Sequence, residues 1–216
     1  MNKYMEVIMS AFLGPIHHWL FNKIKLQESF TENILDASSK NNWYQDLENE
    51  VEKNYKKLDD RPLEDVIDQN NIHGSLQEKI AQAELRLAFV VTNIISKNSD
   101  YISELKKIAY SFGAVNSVLE NSTASDCYKF LNDSLIDGMP CDRVNDVIES
   151  DACKVVWKQS ICVHSDYWTK VRGNVDVYYT LRHEIIKGML SKSNLEYIQD
   201  ENGLNTIRRK WLNVQC

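Results

Sequence analysis

Cys162 and His164 stand two residues apart at the end of a stretch of alternating character. On a strand, residues i and i+2 share a face about 7 Å apart. That spacing is long for a direct thiolate–imidazole pair, but it suits two ligands of one metal or two walls of a pocket. A nucleophilic cysteine needs a neighbouring base or cation to lower its pKa, and His164, Arg143 and Arg182 are the candidates. The chemistry expected is covalent hydrolysis, with Cys162 or Cys141 as nucleophile and His164 as general base. A buried, inert thiol beside a surface histidine fits the same pattern.

Met139-Pro140-Cys141-Asp142-Arg143 brings a thiol, a carboxylate and a guanidinium into five residues. Such a loop can form a pocket mouth in which Asp142 and Arg143 meet a substrate, or a plain connector with a surface ion pair of small value. Further on, Tyr178 and Arg182 are spaced i, i+4 and share one helix face. Arg182 would anchor a substrate carboxylate, which arginine binds through two parallel hydrogen bonds.

The chain also repeats itself. Ile16-His17 to Glu28 and Ile72-His73 to Glu84 both read I-H-x-x-L-x-x-K-I-x-x-x-E. The His and the Glu lie about three helical turns apart, so they share a face. If the two helices run parallel, His17 and His73 lie at one end of a bundle, where they could hold a divalent metal or haem. A chance echo with neutral, hydrogen-bonded histidines fits equally, and the Glu-x-x-His pattern of di-iron bundles is missing. No phosphate-cradling glycine loop, G-x-S-x-G elbow or H-E-x-x-H motif occurs, which disfavours nucleotide-dependent enzymes, serine hydrolases and zincins.

The elements that must position these residues follow from periodicity. Apolar spacing and end signals predict helices over about 15–37, opening at Gly14-Pro15, and over about 43–57, capped by Asn41 or Asn42. A short turn of helix is expected at 63–67. A long helix from Asn70 or Asn71 to about Ser96 is apolar on every side between Leu85 and Ile95, so that end should be buried. Helices over about 100–119 and 123–136 come next. After Gly138 the period changes to two, giving a strand over 154–164 with 144–149 as its partner. A helix over about 176–190 follows. The last pair of strands, 195–199 and 204–208, flanks Asn202-Gly203, which suits a type I′ turn. The fold expected is α+β and mostly α: an antiparallel helical bundle over 1–120 with a small antiparallel sheet and packing helix over 121–216, as two segments or one continuous domain.

Composition bounds the function. The 216 residues are 43% hydrophobic, enough for a sizeable core. Only 7 Gly and 3 Pro punctuate them, favouring long helices. A net charge of -6 argues against nucleic acid as a partner, and no apolar run is long enough to span a membrane. The stretch Met1 to Phe12 reads as mature chain rather than a signal peptide. The five cysteines, Cys127, Cys141, Cys153, Cys162 and Cys216, are odd in number and widely spaced, without a C-x-x-C. They read as free thiols in a cytoplasmic protein. The expected partner is a small molecule, with a homodimer as the prior for such a chain.

One resemblance adds to this. Cys162-Val163-His164, Tyr167-Trp168, Gly173, Tyr178-Tyr179-x-Leu181-Arg182 and Gly188-Met189 occur in an order that resembles the L-2-amino-thiazoline-4-carboxylic acid hydrolase family, over residues 125–200. Gly14-Pro15-Ile16-His17-His18-Trp19 looks like stretches of bacterial proteins. The resemblance implies a shared C-terminal fold, a pocket near Cys162 and hydrolytic opening of a thiazoline ring. Three functional expectations stand side by side: a small-molecule hydrolase acting on a C–N or C–S bond, a metal- or haem-binding carrier using His17 and His73, and a non-catalytic ligand-binding module.

Overall fold

A computed structural model describes residues 12–210. Expectations for Met1 to Ala11 and for the thiol of Cys216 fall outside the described residues. The chain is α+β and mostly helical: α1 Pro15–Lys40, α2 Leu47–Asn54, α3 Leu63–Val66, α4 Ile72–Lys97, α5 Tyr101–Val115, α6 Ala124–Ser134, β1 Asn145–Ser150, β2 Lys154–Gln159, α7 Ser165–Lys170, α8 Val175–Met189, β3 Leu195–Gln199 and β4 Leu204–Arg209.

Local chemistry starts α1, α4, α6 and α8. Pro15 sits in the first turn of α1, where a missing N–H costs nothing, and the His17 ring accepts the Gly14 N–H at 2.9 Å. Asn71 caps α4 by accepting from the Gly74 N–H. Thr123 and Asp126 cap α6 reciprocally, and Asn174 caps α8.

Helices α1 and α4 lie side by side and run in the same direction. The repeated Leu and Ile of the echo fill the seam: Leu20, Ile24, Leu76 and Ile80 are all at most 1% exposed. No residue between Leu85 and Ile95 is exposed, as the apolar end of α4 requires. Helices α5 and α8 touch through backbone. A Cβ on Gly113 would come within 2.1 Å of the Ile185 carbonyl oxygen, and one on Gly188 within 2.1 Å of that of Tyr110. Glycine is what lets these two axes approach.

The four strands form an antiparallel sheet in the order β1-β2-β4-β3. Val155, Ile207 and Tyr197 align across β2, β4 and β3 and turn inward, each at most 6% exposed. Helix α6 lies against β2 and β4, and α8 against β3. One apolar cluster runs from Phe30 of α1 through α4, α5, α6 and α8 to Ile207 of β4. A second, around Leu20, Leu63, Leu76 and Ile136, fills the end where α1 and α4 begin.

Several expectations are corrected. Strand β2 ends at Gln159, not His164, because its partner β1 begins opposite it at Asn145 and the ladder runs out. Cys162 and His164 therefore lie in the turn into α7, a helix that periodicity did not reveal. Helix α2 starts at Leu47, not near Trp43. The terminal hairpin forms, but its turn is not type I′. Gly203 has a φ of 76 and Asn202 does not share the left-handed region, because the Asp200 carboxylate accepts the Asn202 and Leu204 N–H groups and holds the loop in another shape.

Candidate functional site

Five polar side chains from four parts of the chain meet in the interior. His164 stands at the start of α7, Glu84 in the middle of α4, Asp137 in the connector after α6, and Tyr178 and Arg182 one turn apart on α8. His164 and Glu84 are both 0% exposed. The His164 Nδ1 lies 3.1 Å from Glu84 Oε2, while the other Glu84 oxygen accepts from Gln27 Nε2 at 2.9 Å. The His164 Nε2 is buried and makes no hydrogen bond. It lies 3.9 Å from Asp137 Oδ1, an ion-pair distance too long for a hydrogen bond. The Tyr178 ring lies against the imidazole, centroids 4.0 Å apart.

Both Nη atoms of Arg182 are engaged within the fold. Its Nη2 reaches both Asp137 oxygens at 2.8 Å, and its Nη1 donates to the Ile136 carbonyl at 2.9 Å and the Tyr178 hydroxyl at 3.0 Å. Asn145 adds a donor to Asp137 at 3.0 Å. Arg182 was expected to anchor a ligand, but it anchors Asp137 and the backbone instead.

Two cations and two carboxylates in a dry setting fix one another's charge. Burial alone would discharge His164, but Glu84 and Asp137 outweigh it and raise its pKa to about 9. Burial likewise works against the Asp137 carboxylate, and Arg182, His164 and Lys23 reverse the effect and hold it below its ordinary value. Burial drives the Tyr178 phenol well above its ordinary range. At neutral pH the imidazole is an imidazolium with one N–H given to Glu84 and one N–H unclaimed.

His164 and Glu84 also line a cavity of about 350 Å³, with Asp142, Gln77 and Tyr167 among its other walls. That volume is within the range of small-ligand sites, about 300–1,000 Å³. Gly138 shapes its rim. The glycine adopts a φ of 70, and a Cβ there would sit 2.3 Å from Asp142 Oδ2, the oxygen that accepts the Met139 N–H.

The other expected residues are scattered more widely. Cys162 is an exposed free thiol whose sulfur accepts from the Tyr179 hydroxyl at 3.1 Å. Partial burial opposes ionisation of this thiol, but Tyr179 and the backbone N–H groups of His164 and Ser165 prevail and lower its pKa. The His164 ring takes no part in that activation. Cys141 is an exposed free thiol on the connector and does not line the His164 cavity. Arg143, in the left-handed region at a φ of 49, lines a separate cavity with Lys23. Cys127 and the two exposed thiols are free and Cys153 is not, which corrects the reading of all five cysteines as free thiols.

His17 and His73 do meet, with ring centroids 5.7 Å apart. His17 is buried and its Nδ1 is occupied by the Gly14 N–H, while His73 is exposed. Among the described residues no group of three or more His, Cys, Asp or Glu side chains is placed to hold a metal, whereas catalytic metal sites usually have three protein ligands. No helix among the described residues is long and apolar enough to cross a membrane.

No protein-family model, curated protein or solved structure matches the chain. The chemistry has to be read from the site. Sequence reasoning found His164, Tyr178 and Arg182 but missed Asp137, Lys23 and Gln27 as members. Glu84 had a signal, since it closes the echo on a helix face that is otherwise apolar. Asp137, one residue before a glycine in a connector, had none.

Proposed function

We propose that the protein hydrolyses a small molecule at a C–N or C–S bond, with His164 as the proton donor to the departing nitrogen or sulfur. The observation that carries this is a buried imidazole in the wall of a ligand-sized cavity, fixed at Nδ1 by Glu84 and without a hydrogen bond at Nε2, which lies 3.9 Å from Asp137 Oδ1. A carboxylate that holds one ring nitrogen sets the ring's orientation and stabilises its charged form. A group that stays protonated at neutral pH serves as an acid, so the role that fits His164 is general acid rather than the general base expected from its neighbours. Asp142, on the same cavity wall, is the carboxylate placed to accept a proton from an attacking water. Cys162 is a peripheral candidate, since it does not line this cavity.

The resemblance of residues 125–200 to thiazoline-carboxylate hydrolases supplies the first substrate to try. Purified protein is assayed with L-2-amino-thiazoline-4-carboxylate and a panel of small cyclic amidines, lactams and thiolactones. Turnover of at least one member is expected. His164→Gln should lower kcat/KM by about 10²–10⁴, the usual worth of a positioned proton donor, and Cys162→Ala should leave turnover in place. Absence of turnover across the panel, or full activity in His164→Gln, overturns the proposal.

A second reading, a metal or haem carrier, is favoured by the contact between His17 and His73. It predicts colour or a stoichiometric metal in the purified protein, lost in the double variant His17→Ala/His73→Ala. A colourless, metal-free protein that takes up neither haem nor divalent metal removes it.

A further inference from the structure

Lys23, on the buried face of α1, is 3% exposed. Among the described residues its ammonium makes no hydrogen bond and no ion pair. Its nearest partner is the face of Trp19, with the nitrogen 4.1 Å from the ring centroid. Trp19 is itself fixed by its Nε1 donating to Asp133 at 2.9 Å. Buried charges are ordinarily paired, so an ammonium left on an indole face is an open position. It faces a cavity of about 190 Å³, bounded by Trp19, Asn132, Asp137, Arg143 and Asn145. That volume equals about six waters of bulk liquid, the size of a small organic acid.

The chemistry of the walls selects the ligand. Lys23 is a point charge with three donors, Arg143 a planar fork, and Asn132 an amide able to donate. Asp137 is already paired with Arg182 and takes a hydrogen bond from Asn145, so its charge is muted but present. A single negative charge gains from this arrangement, while a dianion meets Asp137 at close quarters. We propose that this cavity binds a small monocarboxylate, its charged end on Lys23 with Arg143 at the mouth and its apolar end on Trp19.

Burial pushes the Lys23 pKa down to about 8. Asp137 and Asp133 oppose the shift and Arg182 adds to it, while Arg143 lines the same cavity. An arriving carboxylate restores the proton, so binding near pH 8 should take up protons. The cavity is distinct from the one at His164 and its occupancy is read without turnover, so its failure would leave the hydrolase reading untouched.

The probes are acetate and pyruvate, titrated calorimetrically into full-length protein near pH 8 in two buffers of different ionisation enthalpy. Expected are saturable one-to-one binding, proton uptake, and affinity weaker by about tenfold or more in Lys23→Met, as befits loss of a charge-assisted contact. Lys23→Met keeps the bulk of the side chain and removes a buried charge, so folding should survive. A measurement on the wild type alone covers the case where it does not: acetate should slow reductive methylation of Lys23, read by peptide mass spectrometry. The proposal is overturned if neither acid saturates, if Lys23 methylates equally fast with saturating acetate, or if Lys23→Met binds as the wild type does. It is overturned as a carboxylate site if inorganic phosphate binds more tightly than either acid.

Discussion

Glu28 and Glu84 occupy the same position in the repeated string of α1 and α4, and both are buried, yet they do opposite things. Glu28 belongs to a latch. Arg86 Nε comes 2.8 Å from its Oε1, at an angle too bent for a hydrogen bond. The same guanidinium takes Glu32 at 2.8 Å, the Tyr55 carbonyl at 2.8 Å and the exposed Glu52 at 3.5 Å. That network runs outward to water and ties the segment after α2 onto α4. Glu84 belongs to a more enclosed cluster, where His164 and Tyr178 are buried, Asp137 and Arg182 are only slightly exposed, and one imidazole nitrogen makes no hydrogen bond. The repeat dictates how two helices pair, through Leu20, Ile24, Leu76 and Ile80. What each glutamate does is decided by the group that the rest of the fold delivers to it: Arg86 from the neighbouring helix α4 for Glu28, a histidine 80 residues away for Glu84.

The sharpest way to break this contrast is to remove each carboxylate in turn. Glu84→Ala leaves the His164 Nδ1–H and the Gln27 amide without their acceptor and the cluster with an uncompensated cation. Breaking a buried pair in this way costs about 3–5 kcal/mol. Glu28→Ala leaves Arg86 with Glu32 and Tyr55, so the loss should be about 1–2 kcal/mol. Urea unfolding at pH 7 measures both. Equal losses would mean that the two clusters are the same kind of structure and that the central one is not special.

The next effect is smaller and depends on pH. The folded-state pKa of His164, about 9, is above its ordinary value of 6.5. The stability it contributes is fully present below pH 6.5 and is lost as pH rises through 9. Lys23 has the opposite sign. Its folded-state pKa, about 8, is below its ordinary 10.5, so the penalty of burying its ammonium is fully present below pH 8 and relieved as pH approaches 10.5. Each effect is worth roughly 3 kcal/mol at most, at about 1.4 kcal/mol for each pH unit between the two values. The wild type should lose stability from pH 6.5 to 8, hold level to pH 9 while the two slopes cancel, and recover towards pH 10.5. His164→Gln should remove the fall, and Lys23→Met should raise stability at neutral pH and remove the late recovery. Parallel curves for all three proteins would show that neither group carries its charge as argued.

The legible and illegible parts of the molecule separate along physical lines. Helix ends were readable wherever a local side chain supplies the cap, as Asn71 and Thr123 do, because capping is settled within three or four residues. Strand alternation placed Val155 and Trp157 on one face but did not say which face turns inward, and Val156 on the other face is buried as well. The end of β2 was not readable, because it is set by where β1 starts rather than by the residues of β2. The site shows the same division. Tyr178 and Arg182 were linked by helix geometry alone, but Arg182 was cast as a ligand anchor because nothing local announces Asp137. His164 was singled out for its neighbour Cys162, although its real partner is Glu84, brought in by tertiary folding.

The smallest effect tests whether the reactivity of the central region stops at its edge. Cys141 and Cys162 are both exposed and free, so exposure does not distinguish them. Cys162 has the Tyr179 hydroxyl at 3.1 Å, and that hydroxyl is itself held by Gln159 Nε2 at 2.8 Å. The thiolate is the reactive species, so iodoacetamide at pH 7 should modify Cys162 several-fold faster than Cys141. Tyr179→Phe removes the donor and should close most of that gap, while His164→Gln should leave it, since the imidazole is committed to Glu84. Stability should shift by only about 1 kcal/mol in Tyr179→Phe, the worth of one hydrogen bond at the rim. If His164→Gln slows Cys162 as much as Tyr179→Phe does, thiol and imidazole form one catalytic pair after all, and the boundary drawn between the buried cluster and its exposed neighbour is wrong.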